Sequence, residues 1–218
     1  MTWRYVIMAN GKGLRWGNHL GIPKHLITVL GETLIERAAR QVLERDPSAE
    51  MVISSKDPRC VAPGAVRHEP ERDDIELDRF VPELISEQTC FVYGDTYYTD
   101  QAMDLIVQAD PQELLFFRTE RSIIALKSGA ERVLRDHLES VRSQFLAGYL
   151  PDCKGWQVRE SYLAAPGSVE PHTLKISDAT GDINSPADLA DLDRIIDSQS
   201  ERLSSEAIAL RNATHDRP

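Results

Sequence analysis

The sequence has little of what marks a secreted, membrane or structural-zinc protein. Its three cysteines in 218 residues, Cys60, Cys90 and Cys153, are odd in number and widely spaced, and none forms a CxxC pair. A disulfide framework and a structural zinc are disfavoured, and reduced thiols in a cytoplasm are expected. No apolar run approaches the roughly 20 residues that cross a bilayer. The amino terminus lacks the basic region, long apolar segment and cleavage site of a secretory signal, so neither membrane attachment nor export is expected.

Positive charge is also scarce: 25 Lys and Arg stand against 35 Asp and Glu, a formal net charge of -10. Broad binding to nucleic acid or anionic lipid wants a basic face and is disfavoured. A small anion is a different matter, because local cations, backbone amides and a divalent metal suffice to hold it. Repeats and linkers rich in Pro, Gly or Ser are absent too. One domain over 1–198 is expected, with a C-terminal helix and frayed tail over 199–218.

Short apolar runs alternate with segments of helical period. Tyr5–Ala9, Met51–Ser54 and Thr89–Tyr93 read as buried strands, and Thr33–Arg45, Ile75–Ser86, Thr99–Ala109 and Ala130–Leu146 as helices. Leu114–Phe117 and Ile123–Leu126 are close enough in sequence to pair. Ser161–Ala165 and Leu174–Ile176 are weaker strand candidates. Ser185-Pro186-Ala187-Asp188 starts a helix that turns Leu189, Leu192, Ile195 and Ile196 inward. The expected fold is α/β, a Rossmann-like three-layer sandwich with a mixed, mainly parallel sheet covered by helices on both faces. Ligands of such folds bind beyond the carboxyl ends of the strands.

After the first strand comes Ala9-Asn10-Gly11-Lys12-Gly13-Leu14-Arg15. Glycine tolerates positive φ and lets phosphate oxygens approach backbone amides. Arg15 and the later Lys24 would hold charge that amides alone leave unbalanced. The third glycine of a dinucleotide fingerprint and the GxxxxGK of a Walker loop are missing. On spacing alone, an anion loop and a simple turn with surface cations both stand. Phe91-Val92-Tyr93-Gly94-Asp95 then places an acid at a strand exit, as a magnesium anchor or as a cap for the next helix.

Three islands together carry a resemblance: the glycine loop with Pro23-Lys24-His25-Leu26 and Gly31-Glu32-Thr33-Leu34-Ile35; Gly94-Asp95; and Asp182-Ile183-Asn184-Ser185-Pro186-Ala187-Asp188-Leu189. This pattern resembles the nucleotidyltransferases that make nucleoside-diphosphate sugars and related activated alcohols, a GT-A type family that includes molybdenum-cofactor guanylyltransferases. It departs at Asn10, where a small residue is usual, at Thr33, where proline is common, and at Ala187, where glutamate is common.

The resemblance implies transfer of a nucleoside monophosphate from a triphosphate to a phosphorylated small molecule, with release of pyrophosphate. It implies Arg15 and Lys24 as catalytic residues, Ala9, Asn10, Gly11, Lys12 and Gly13 as the nucleotide-binding loop, and Asp95 and Asp182 as ligands of Mg2+, for which Mn2+ could substitute. Asp188 serves the helix start. The partners implied are a triphosphate and a phosphate-ester acceptor, and a homodimer is compatible. Two other readings are a glycosyltransferase of related fold, which would want a D-x-D motif where Asp95-Thr96-Tyr97 stands, and a non-catalytic nucleotide-binding domain. Lys12 could equally face solvent. Lys127 and Lys175 read as solvated lysines or contacts for the acceptor's phosphate, and His172 and Trp156 as packing or acceptor-pocket residues. Glu69–Asp74 reads as a solvated turn that could lie near the base.

Overall fold

The computed structural model describes residues 2–11 and 13–198. Lys12 and the expected C-terminal helix and tail over 199–218 lie outside them. The strands are β1 (Arg4–Met8), β2 (Thr28–Val29), β3 (Glu32–Thr33), β4 (Glu50–Ser54), β5 (Ala65–His68), β6 (Thr89–Tyr93), β7 (Thr96–Tyr97), β8 (Leu114–Arg118), β9 (Ile123–Ser128), β10 (Thr173–Lys175) and β11 (Gly181–Asp182). The helices are α1 (Leu34–Arg45), α2 (Asp100–Gln108), α3 (Glu131–Leu146), α4 (Gly155–Leu163) and α5 over 186–198.

Seven strands form one sheet in the order β10-β8-β9-β6-β1-β4-β5. Within it β9 runs antiparallel to both neighbours, and the other pairings are parallel. The carboxyl ends of β1, β4 and β6 therefore open on one edge. Ala38, Ala39 and Val42 of α1 and Ala102, Met103 and Ile106 of α2 pack on one face of the sheet. Leu134, Leu138 and Val141 of α3 and Val158 and Tyr162 of α4 pack on the other. These are the three layers the hydrophobic periods lead one to expect. Helix α1 begins with a capping box, in which Thr33 Oγ1 accepts from the Glu36 amide at 3.2 Å and Glu36 Oε2 accepts from the Thr33 amide at 2.8 Å. Threonine at a position where proline is common thus has a structural task of its own.

Four expectations are corrected. The helix expected over Ile75–Ser86 is replaced by two single 3-10 turns, Glu76–Arg79 and Pro82–Leu84. Pro82 cannot donate to a helix, and the Asp78 carboxylate captures the amides of Asp74 and Ile75 at 2.9 and 3.1 Å. Ser161–Ala165 is not a strand: residues through Leu163 close α4, whose buried Val158 and Tyr162 are four apart, a helical spacing. Ile195 on α5 is 42% exposed, whereas Leu192 is buried. Lys127 is neither solvated nor near the carboxyl edge. It is fully buried, its ammonium donates to the carbonyls of Ile106 and Val107 at 2.9 and 2.8 Å and to the Tyr5 hydroxyl at 3.1 Å, and it lies over the Trp3 ring at 4.2 Å. It caps the carboxyl terminus of α2, where a cation suits the helix dipole. Strand β5 was not anticipated.

Asp78 also pairs with Arg142 of α3. Burial would raise its pKa, but the Ile75 amide, the Arg142 guanidinium and the Asp74 amide outweigh that and hold the carboxyl below its ordinary value. A lowered folded-state pKa contributes stability that is complete above the unfolded value of about 3.9 and is lost as pH falls through the folded value. Asp78→Asn should therefore cost about 2 kcal/mol at neutral pH, the worth of a charged hydrogen-bond set. That deficit should shrink below about pH 4, which urea unfolding across pH 3 to 7 would read.

Candidate active site

Beyond the carboxyl edge of β1 and β6 lies a cleft of about 670 Å³, within the range of small-molecule sites. Its walls include Asn10, Gly13, Arg15, Lys24, Asp95 and Asp182. Residues far apart in sequence meet there for identifiable reasons.

Gly94 makes the exit from β6. A Cβ at this position would lie 2.9 Å from the Met8 carbonyl oxygen and 3.1 Å from Ile7 Cγ2, so a larger residue would push the chain away from β1. Asp95 follows, only 5% exposed. The next residues form β7, which pairs antiparallel with β11 so that Asp182 stands opposite Thr96. The Ile183 amide then donates to the Asp95 carbonyl at 2.7 Å. This short ladder brings the two aspartates to one place.

A third core, separate from the two on the sheet, fixes the ladder against the loop that carries Lys24. Trp16, Ile27, Val29 and Leu34 pack there with Tyr97, Ile183 and Leu192. The Trp16 indole also donates to the Ile22 carbonyl at 2.8 Å, tying down the loop before Pro23. Lys24 enters the site on a 3-10 turn, Lys24–Leu26, and is 6% exposed.

Its ammonium pairs with Asp95 and donates to Asn184 Oδ1 at 2.8 Å. The Asn184 amide donates in turn to Asp182, whose other oxygen accepts from Ser122 Oγ at 2.7 Å. Asp95, Lys24, Asn184 and Asp182 thus form one chain of polar contacts. Burial would raise the Asp95 pKa, but Lys24, His25 and Arg79 hold it below the ordinary carboxylate range, so at neutral pH this buried group is anionic. His25 is pushed down to about 4, chiefly by burial, and is neutral there.

The described residues of the glycine loop have different surroundings. Gly13 lines the cleft with φ +59°, a left-handed conformation that favours glycine. Gly11 lies close to Lys24, His25 and Arg79. Asn10 bridges two strand ends: its Nδ2 donates to Ser54 Oγ and its Oδ1 accepts from the Lys56 amide, each at 3.1 Å. Ala9 belongs to the core, with its amide bound to the Ser54 carbonyl and its carbonyl to the Ser55 hydroxyl, so it supports the loop from behind the cleft. Arg15 is exposed at the cleft.

Asp188 serves the helix start, accepting from the amides of Asn184 and Ser185 at 3.1 and 2.8 Å. Trp156 also lines the cleft, as do Lys154 and Arg121, and the guanidinium groups of Arg118 and Arg159 lie near its ring. Asp73 and Asp74, from the expected surface turn, also reach the cleft. Lys175 is exposed and pairs with Glu120, and His172 pairs with Glu170 at 2.8 Å; neither is part of the cleft lining. Sequence reasoning missed Asn184, Ser122 and Arg79. Asn184 alone had a signal, since it sits inside the late Asp182–Leu189 phrase.

No protein-family profile and no curated protein matches the chain. Solved structures do. A CTP:phosphocholine cytidylyltransferase from Streptococcus pneumoniae superposes with a TM-score of 0.58 at 13% identity, covering 90% of this chain and 100% of that one. An inositol-1-phosphate CTP transferase from T. maritima gives 0.54 at 14% identity over 86% and 91%. A nucleoside-diphosphate-sugar pyrophosphorylase from Vibrio cholerae RC9 gives 0.60 at 9% identity over 87% and 99%. Likeness at these identities is a statement about architecture, and on that evidence the chain shares the fold of these three proteins.

Proposed function

We propose that the protein is a nucleotidyltransferase, in which a phosphorylated small molecule attacks the α-phosphorus of a nucleoside triphosphate and pyrophosphate leaves. The observation that carries this reading is the meeting of Asp95, Lys24 and Asp182 beside the glycine loop. The neighbours' fold supports it.

Asp95 and Asp182 fit a magnesium ion by chemistry: both offer hard carboxylate oxygens, and one or two such groups plus substrate phosphates are the usual magnesium environment. Among the described residues no cluster of three or more His, Cys, Asp or Glu is poised for a metal, so phosphate oxygens would complete the set. When bound, the ion would offset phosphate charge and align the two reactants.

This chain's own residues do the rest. Lys24, held 7% exposed in the floor of the cleft, is a preorganised cation for the charge that develops at the α-phosphate and on the leaving pyrophosphate. Arg15, exposed at the cleft, is a second cation for the triphosphate. A phosphate monoester is already ionised and nucleophilic near neutral pH, so no residue need act as general base. Trp156, Lys154 and Arg121, which also line the cleft, are left for the acceptor. A nucleotide-sugar glycosyltransferase is less well served, because the third position of its D-x-D motif is Tyr97, buried in the third core.

The test is pyrophosphate release from each of the four common triphosphates with Mg2+ and a mixture of sugar, choline and polyol phosphates. Release dependent on both a triphosphate and an acceptor is expected. Transfer from nucleotide sugars without such release would reject the reading.

A further inference from the structure

We infer that Arg79 is a phosphate-binding residue of this cleft, a role that rests on the reading above. A Cβ built on Gly11 would lie 3.4 Å from Arg79 Nη2, beside Lys24 Cε and His25 Nε2, each at 3.5 Å. The guanidinium therefore borders the backbone of the glycine loop, where phosphate oxygens are expected. It lines the cleft together with Lys24, Asp95 and Gly13.

Arg15, exposed at the cleft, is the other uncommitted cation of its lining among the described residues, and the remaining cations there are less free or less buried than Arg79. Lys24 is committed to Asp95 and Asn184. Lys154 pairs with Asp152 at 3.2 Å, and Arg121 is 81% exposed and 3.7 Å from Asp188. His25 is neutral. Arg79 is 21% exposed, and its one ion-pair partner among the described residues is Glu76, at a loose 3.6 Å. It is a half-buried cation with donors to spare.

The backbone explains why it points there. Asp78, its neighbour, is anchored by Arg142 and by the amides of Asp74 and Ile75, which fixes the turn Glu76–Arg79 whose last residue lines the cleft. A planar guanidinium matches phosphate geometry with two parallel donors.

Inorganic pyrophosphate with Mg2+ is a probe that needs no knowledge of the base. Calorimetry on the full chain should show Arg79→Ala binding it about ten- to a hundredfold more weakly, the scale of a lost charged hydrogen bond. Arg79→Lys should fall between, because it keeps charge and loses the fork. Glu76→Gln should bind no more weakly than the native chain, since it removes only a competing anion. Arg79→Ala within twofold of the native affinity would overturn the assignment. So would Glu76→Gln weakened as much as Arg79→Ala, since the shape of the turn would then be what matters. If the native chain bound no pyrophosphate and released none from any triphosphate, the proposed function itself would fall, and this inference with it.

Discussion

Asp95→Asn is expected to lower pyrophosphate release at least 100-fold, because removing one preorganised charge from such a site costs on the order of 100 to 1000-fold in turnover. The loss has to be separated from a folding defect. Asp95 and Lys24 are a buried pair, each side chain 7% exposed, and removing one partner leaves an uncompensated charge worth about 3 kcal/mol of stability. The double variant Asp95→Asn with Lys24→Met removes both charges. It should recover most of the stability lost by the single variant while remaining at least 100-fold less active. Urea unfolding and an initial-rate pyrophosphate assay on the same preparations distinguish the two effects. Turnover within tenfold of native in the single variant would remove Asp95 from the chemistry.

The second large effect is on stability alone. Lys127 pairs in register with Cys90, which lies opposite Tyr5, near the amino ends of the parallel strands and away from the cleft. Its ammonium serves two carbonyls at the end of α2 and the Tyr5 hydroxyl. Burial lowers its pKa, with Cys90, Asp110 and Asp46 acting the other way. Lys127→Ala removes the packed stem and strands those acceptors, a loss of about 3 kcal/mol or more when hydrogen-bond and cavity costs combine. A protein of ordinary stability has only about 5 to 15 kcal/mol in all. Lys127→Met keeps the stem's volume and should lose less. In both variants turnover per folded molecule should stay near native, because no cleft contact changes. A selective fall in turnover without loss of stability would place Lys127 in the site after all.

How much was legible in the sequence depended on the range of the interaction. The unit β1-α1-β4 was readable because Val6, Ile7, Ile35, Ala38, Val42 and Ile53 follow the periods of strand and helix and are all buried. The glycine loop and both aspartates were readable as a resemblance, since they lie in short contiguous phrases. What brings the aspartates together was not: β7 and β11 are two residues each, too short for any alternation to show. The segment Ile75–Ser86 misled because its apolar positions fit a helix while Asp78 diverted the backbone amides. Arg79 was hidden with it, and Lys127 looked like any lysine at the end of an apolar strand. Each of these side chains is assigned by partners distant in sequence: Arg142 to Asp78, Gly11 to Arg79, Tyr5 to Lys127.

The most direct measurement is an anomalous difference map from crystals of the full chain grown with Mn2+ and the triphosphate that best raises its melting temperature. The account predicts one manganese peak touching the carboxylates of both Asp95 and Asp182 and an oxygen of the triphosphate, with Lys24 turned toward phosphate. Manganese bound elsewhere, or bound with Asp182 still held only by Asn184 and Ser122, would contradict it.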